Sequence, residues 1–166
     1  MIALAASASL AACRDWATGT GGNGFSPTFV GLDASSGPSG ENPIGTVRIH
    51  FGRIGPDWRG EVSCLSVRGN TAIIGFGEGY YSDVGQTYWV TGLVRVVDNS
   101  PGPGDKFEHV ELQTGEPDPG PPPPRTGDPL PGPTDCSSFP SDQQVYDIAN
   151  GGFQIVDGQP PRASND

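Results

Sequence analysis

Between Phe29 and Leu112 apolar side chains return at every second position in run after run, and no stretch of the chain shows the spacing of an amphipathic helix. That period confines the chain to pleated strands. Val47, Ile49 and Phe51 alternate with Thr46, Arg48 and His50, as in a half-buried strand. Trp58, Gly60, Val62, Cys64 and Ser66 are expected to share one face of the next run. Arg68-Gly69-Asn70 then makes a tight turn into Thr71–Phe76, a hairpin signal because Gly-Asn joins two β-rich runs. From Gln86 to Asp98, apolar residues populate both faces, which predicts a central strand covered on both sides or one crossing a barrel. A Pro/Gly loop, 98–105, leads to a last alternation in which Phe107, His109 and Glu111 oppose Glu108, Val110 and Leu112. Five or six such runs without a helix predict an all-β fold: a single antiparallel meander closed as a small β-barrel or a two-sheet sandwich.

Composition sets the limits around this core. The 166 residues suffice for one domain with appendages. Nine of the 18 prolines fall between Pro117 and Pro133, where Pro121–Pro124 favours polyproline II, a stiff spacer that cannot enter a sheet interior. The expected organisation is a signal- or lipobox-like segment at 1–13, a flexible Gly/Thr/Ser segment at 14–27 and the all-β domain at 28–113. A Pro-rich linker or loop follows at 114–134, then a C-terminal segment at 135–157 that returns to the sheet, and a mobile tail at 158–166. Within the returning segment, Gly152–Asp157 is a short strand suited to an open sheet edge. Net charge is −10, and residues 98–166 carry 12 acidic side chains against 3 basic ones. Phosphate backbones and anionic lipid would repel such a chain, which argues against a nucleic-acid partner. No run approaches the roughly 20 apolar residues of a membrane-spanning helix.

Residues 1–13 form an apolar, small-residue run ending at Arg14-Asp15, the pattern of a secretory signal that is removed rather than folded. Ala6-Ser7-Ala8 fits signal peptidase cleavage, and Leu10-Ala11-Ala12-Cys13 fits a lipobox, in which Cys13 would carry the lipid. The usual basic start is missing. An acylated Cys13 would be the chain's one route to a membrane. In an exported chain Cys64 and Cys136 become an even pair, and their disulfide would restrict the unfolded chain by about 4 kcal/mol. Extracellular or envelope location and a monomer are expected.

Four segments also carry a likeness. Ser36-Gly-Pro-Ser-Gly-Glu-Asn-Pro-Ile-Gly-Thr46, Val62-Ser-Cys-Leu-Ser-Val-Arg-Gly-Asn-Thr-Ala-Ile-Ile-Gly75, Val94-Arg-Val-Val-Asp-Asn-Ser-Pro-Gly-Pro-Gly-Asp-Lys-Phe107 and Gly132-Pro-Thr-Asp-Cys-Ser-Ser-Phe-Pro140 resemble those of a group of uncharacterised secreted proteins of actinobacteria and related bacteria. The resemblance spans about residues 15–157 and implies a secreted all-β module that keeps the cysteine pair. It implies no activity. Members of that group often run past a segment like Asp157-Gly-Gln-Pro-Pro into a cysteine-containing tail, and this chain, ending at Asp166, reads as a short or cut-back form beside them.

Three chemistries are open to the remaining residues. Asp98, Asn99 and Asp105, with Glu41 or Asp33 near in space, offer hard oxygen ligands to calcium, though without EF-hand spacing; backbone bonding by these Asx side chains is the plainer reading. No other cofactor is expected. Trp58, Tyr80, Tyr81, Tyr88 and Trp89 would form a surface for a sugar or small apolar ligand, against the commoner fate of core packing. Glu61, Glu78, Asp57 and Asp83 would supply the carboxylate pair of a hydrolase only if two of them faced each other across a cleft at about 5–10 Å. No nucleophile elbow, HExxH or phosphate-cradling loop is present. The reading reached from sequence is a non-enzymatic exported binding or structural module, with a carbohydrate or small-ligand barrel as the alternative and a carboxylate hydrolase after it.

Overall fold

A computed structural model describes residues 14–23, 28–52, 55, 57–83, 86–100, 104–114 and 130–158, with the side chains of 78–88 and 110–114 excepted. The described residues are all-β. In chain order the strands are β1 (Asp15–Gly22), β2 (Phe29–Ser36), β3 (Ile44–His50), β4 (Asp57–Arg68), β5 (Thr71–Asp83), β6 (Gln86–Val97), β7 (Lys106–Thr114), β8 (Tyr146–Asp147) and β9 (Asn150–Val156). Each of the first seven pairs antiparallel with the next, and β9 returns to pair with β1. The result is one nine-stranded sheet, curled into a half-barrel, rather than two facing sheets.

The concave face holds one continuous core. Val30, Leu32 and Ala34 of β2, Val47 and Ile49 of β3, and Ala72, Ile74 and Phe76 of β5 keep the period-2 pattern and are buried. On β4 the pattern shifts. A β-bulge between Val62 and Cys64 inserts one residue opposite β5, so the inner face runs Trp58, Val62, Leu65, Val67 and Cys64 turns outward. The expectation that Cys64 shares a face with Trp58 and Val62 is therefore corrected. A bulge reverses the alternation downstream of it.

A second correction concerns 14–27. Asp15–Gly22 is not a flexible lead-in but a strand with neighbours on both sides, β2 and β9. Its glycines make this possible: a Cβ on Gly19 would stand 2.3 Å from the Gly152 carbonyl oxygen, and one on Gly21 would stand 2.7 Å from Ile148. Small residues that looked like linker chemistry are there because β9 and its approach lie against them. Positions 24–27 lie outside the described residues.

The two edge strands are consecutive in the chain. Only Ile148 and Ala149 separate β8 from β9, and these two stitch the edges together: Ile148 N–H donates to the Asp105 carbonyl at 2.8 Å and Ala149 N–H to the Gly22 carbonyl at 2.9 Å. Among the described residues, the outer edge of β9 has no tenth strand. Side chains of the β6–β7 loop take that role, the Asp105 carboxylate accepting from Phe153 N–H at 2.7 Å and Asp98 from Ile155 N–H at 3.2 Å. At the other end of β9, the buried Asp15 accepts from Gly158 N–H at 2.8 Å.

Asp105 also accepts from Asn99 N–H at 2.9 Å, so truncation would orphan a buried donor as well as a loop contact. Asp105→Ala is expected to lower unfolding stability in urea by about 1–3 kcal/mol, the range for a buried donor left unpaired. Asp105→Asn, which keeps one acceptor oxygen, should recover part of that loss.

Candidate functional site

Beyond the end of β3, the wall of the curled sheet is open along β4. β4 is 12 residues long and β3 only 7. They pair from Thr46–His50 against Asp57–Glu61, while β5 accompanies β4 to its end at Arg68. Val62–Arg68 thus has a partner on one side only. The β4–β5 hairpin decides which backbone groups are left over. Its two-residue turn begins with Gly69 at φ 60°, and such a turn makes Arg68 and Thr71 a hydrogen-bonded pair. Ser66, two residues back, also points its N–H and C=O at β5. Leu65 and Val67 direct theirs away from β5, into the gap.

The chain leaves that gap because the β2–β3 loop swings off the sheet. Gly40 and Gly45 hold φ of 81° and 135° and Asn42 holds 50°. The loop is closed on itself by Gly37 N–H to the Glu41 carbonyl at 2.8 Å and Gly40 N–H to the Gly37 carbonyl at 2.9 Å. Gly40 comes up beside the Leu65 carbonyl, near enough that a Cβ would stand 2.7 Å from it, but its N–H is already committed within the loop.

The other wall is a strap formed by residues 130–140, laid flat over the outer face of the sheet. Cys64 and Cys136 form a disulfide, with Cα atoms 5.8 Å apart across 72 residues of sequence, and both are buried. Around it pack Leu93, Ile73 and Phe139. The strap lies so low because β5 presents glycines to it: a Cβ on Gly77 would stand 2.0 Å from the Gly132 nitrogen, and one on Gly75 would stand 2.7 Å from the Pro133 ring. Ser63 Oγ donates to the Pro133 carbonyl at 2.9 Å. Farther along, the Phe139 ring sits 5.0 Å from the Arg95 guanidinium, which is ion-paired to buried Glu108.

Between loop and strap lies a cleft of about 820 Å³, lined among others by Asp15, Leu65, Ser66, Arg68, Asp135 and Asp157. Three carboxylates and one guanidinium give it an acidic rim. Asp15 feels this most: burial pushes its carboxyl above the ordinary range, against the Gly158 hydrogen bond, and the neighbouring charges of Asp157 and Glu41 push the same way. Asp135 is held below that range, chiefly by its hydrogen bond from Ser137 N–H. Hydroxyls of Ser39, Ser66, Thr134 and Ser137 and backbone groups are the other polar groups facing the cleft.

The residues singled out from sequence fall elsewhere. Trp58 is buried, its ring centroid 5.1 Å from Phe51 and 5.4 Å from His109, a core position without an open face for a sugar. Trp89 is half-buried, and the side chains of Tyr80, Tyr81 and Tyr88 lie outside the described residues. Asp98, Asn99 and Asp105 do come together, but as backbone acceptors and loop ties: Asp98 takes the N–H groups of Ser100 and Ile155, and Asn99 Nδ2 donates to the Gly104 carbonyl. Among the described residues no three His, Cys, Asp or Glu side chains gather as a metal site would. Glu41 belongs to the loop beside the cleft, and Asp33 is exposed on β2. Asp57 is clamped by Arg48 at 2.9 Å and Arg59 at 2.8 Å, and although burial opposes it, these arginines lower its carboxyl pKa. Glu61 is exposed, and the side chains of Glu78 and Asp83 lie outside the described residues. Cys13 also lies outside them. The predicted Cys64–Cys136 pair is present.

Sequence reasoning missed the cleft itself. Its signal was the unequal length of two adjacent strand runs, six alternating residues from Thr46 to Phe51 against ten from Trp58 to Val67.

His109 occupies the opposite role, a histidine used as an aromatic. Its ring lies 4.8 Å from Phe51 and 5.6 Å from Tyr146, its buried Nδ1 has no hydrogen-bond partner among the described residues, and burial lowers its pKa to about 4.

No family model, curated protein or solved structure matches the chain. No helix among the described residues is long and apolar enough to cross a membrane.

Two outcomes are expected. Cys64→Ala/Cys136→Ala should lose about 2–4 kcal/mol in denaturant unfolding and expose the strap to proteases. For His109, the unfolded chain takes up its proton near pH 6.5 and the folded chain only near pH 4, so stability should fall as pH drops through that window. His109→Phe should flatten this part of the pH–stability curve, and a ring-proton NMR titration should place the wild-type midpoint near 4.

Proposed function

We propose that this chain is an exported, non-enzymatic β-module of the cell envelope or exterior whose task is to bind a partner in the cleft between the β2–β3 loop and the strap. The observation that carries the reading is the buried Cys64–Cys136 disulfide. It fixes the strap, and the strap is one wall of the cleft, so the site depends on a bond that persists in oxidising compartments. The apolar run at 1–13 and the resemblance to secreted actinobacterial proteins agree with that location. A lipid on Cys13 would leave the cleft close to the membrane surface, since Asp15 at its rim is two residues away.

The test is production in a bacterial host with residues 1–13 in place, followed by mass spectrometry of the mature chain and a peptide, glycan and lipid screen. The expected product lies outside the cytoplasm, lacks Met1, has no titratable thiol at Cys64 or Cys136, and binds a ligand class only while oxidised. A cytosolic product that keeps Met1 and two free thiols would overturn the placement, and absence of binding to every class would overturn the role.

A further inference from the structure

We propose that the open edge of β4 captures an extended, basic peptide, which adds to the sheet as a strand beside Leu65 and Val67. The inference rests on the binding-module reading and names the ligand.

Backbone chemistry comes first. Leu65 and Val67 turn their N–H and C=O groups toward the cleft, and among the described residues no hydrogen bond from the loop or the strap reaches them. Sheet edges of this kind are templates for another strand. Natural proteins blunt them with lysine, proline or a covering element. Val62–Arg68 contains neither lysine nor proline, and the loop beside it touches the Leu65 carbonyl through Gly40 without donating an N–H. Gly40 beside the Leu65 carbonyl and Asp157, which accepts from Gly69 N–H at 3.0 Å, bound the free stretch, so the part of a segment that pairs here would be about three or four residues long.

Charge selects the kind of segment. A strand placed here would turn alternate side chains inward and outward. The inward ones would meet Asp15, which lies on the same face of β1 as the core residue Ala17. The outward ones would meet the strap at Asp135, with Asp157 lining the same cleft. Lysine or arginine at alternating positions would relieve the crowding of Asp15 by Asp157 and Glu41. A second copy of this chain would bring the same acidic rim and a net charge of −10 against it, so self-pairing through this edge is opposed. The chain's own Pro-rich run is also a poor occupant, because proline lacks the N–H that a ladder needs.

The experiment is amide hydrogen exchange by NMR on the oxidised protein, alone and with an octapeptide alternating lysine and valine; its glutamate-for-lysine counterpart is the control. In the free protein Leu65 and Val67 should exchange much faster than Ala72 and Ile74 of the fully paired β5. The lysine peptide should slow both about tenfold or more, and the glutamate peptide should not. Binding should weaken about tenfold between roughly 20 and 500 mM salt, and similarly in Asp15→Asn/Asp157→Asn. If that variant does not fold, the salt series alone reads the charge contribution. Slow exchange of Leu65 and Val67 without peptide, protection that grows with protein concentration alone, equal binding of the two peptides, or no binding of the lysine peptide would each overturn the inference. Binding of another ligand with these two amides still exchanging freely would overturn it too, yet leave the binding-module reading intact; only failure of every ligand class would remove both.

Discussion

The curl of the sheet depends on carboxylates that behave as backbone. A strand at the end of a sheet has a row of N–H groups with no ladder to join, and burying one unpaired costs about twice what a made bond contributes. Here Asp105 and Asp98 take the N–H groups of Phe153 and Ile155 on β9, so the last strand closes on side chains of the β6–β7 loop. Because Ile148 and Ala149 bond to both edges at once, the ends of the sheet are fixed to each other at one corner. The core of Phe107, Phe153, Ile74 and Val94 is sealed by that arrangement. The acidic residues that give the second half of the chain its charge are in part structural acceptors.

The convex face obeys a different rule. It is covered by a strap with no regular structure, and such a segment lies flat only where the sheet offers no side chains to lift it. Gly75 and Gly77 provide that floor, the bulge at Ser63 turns Cys64 toward it, and the disulfide holds the strap down. These three features cooperate: without the bulge, Cys64 would face the core, and without the glycines Pro133 and Gly132 could not approach. One side of the cleft is a product of this packing. Its other side results from β3 being shorter than β4.

Much of the architecture was legible in the alternation of apolar residues, because period-2 burial is a local property of each strand. The hairpin at Gly69-Asn70, the central position of β6 and the return of Gly152–Asp157 to an open edge could all be read in this way. What escaped was set by partners remote in sequence. Gly19 and Gly21 look like linker residues until β9 and Ile148 lie against them. Cys64 looks inward-facing until one extra residue shifts the register, although apolar residues at 62, 65 and 67 already mark the skip. Trp58 reads equally as a ligand platform or a core ring, and only its neighbours Phe51, Phe76 and His109 decide for the core.

The disulfide also has a consequence for how the chain tolerates damage and change. It joins β4 to a point beyond the proline-dense run, so a protease cut anywhere between Thr114 and Leu130 would leave two polypeptides still covalently united. The second fragment would keep its strap, β8 and β9 in place, held through Cys136, Asp105 and β1. A cut in that run therefore releases neither piece from the other while the bond between Cys64 and Cys136 is intact.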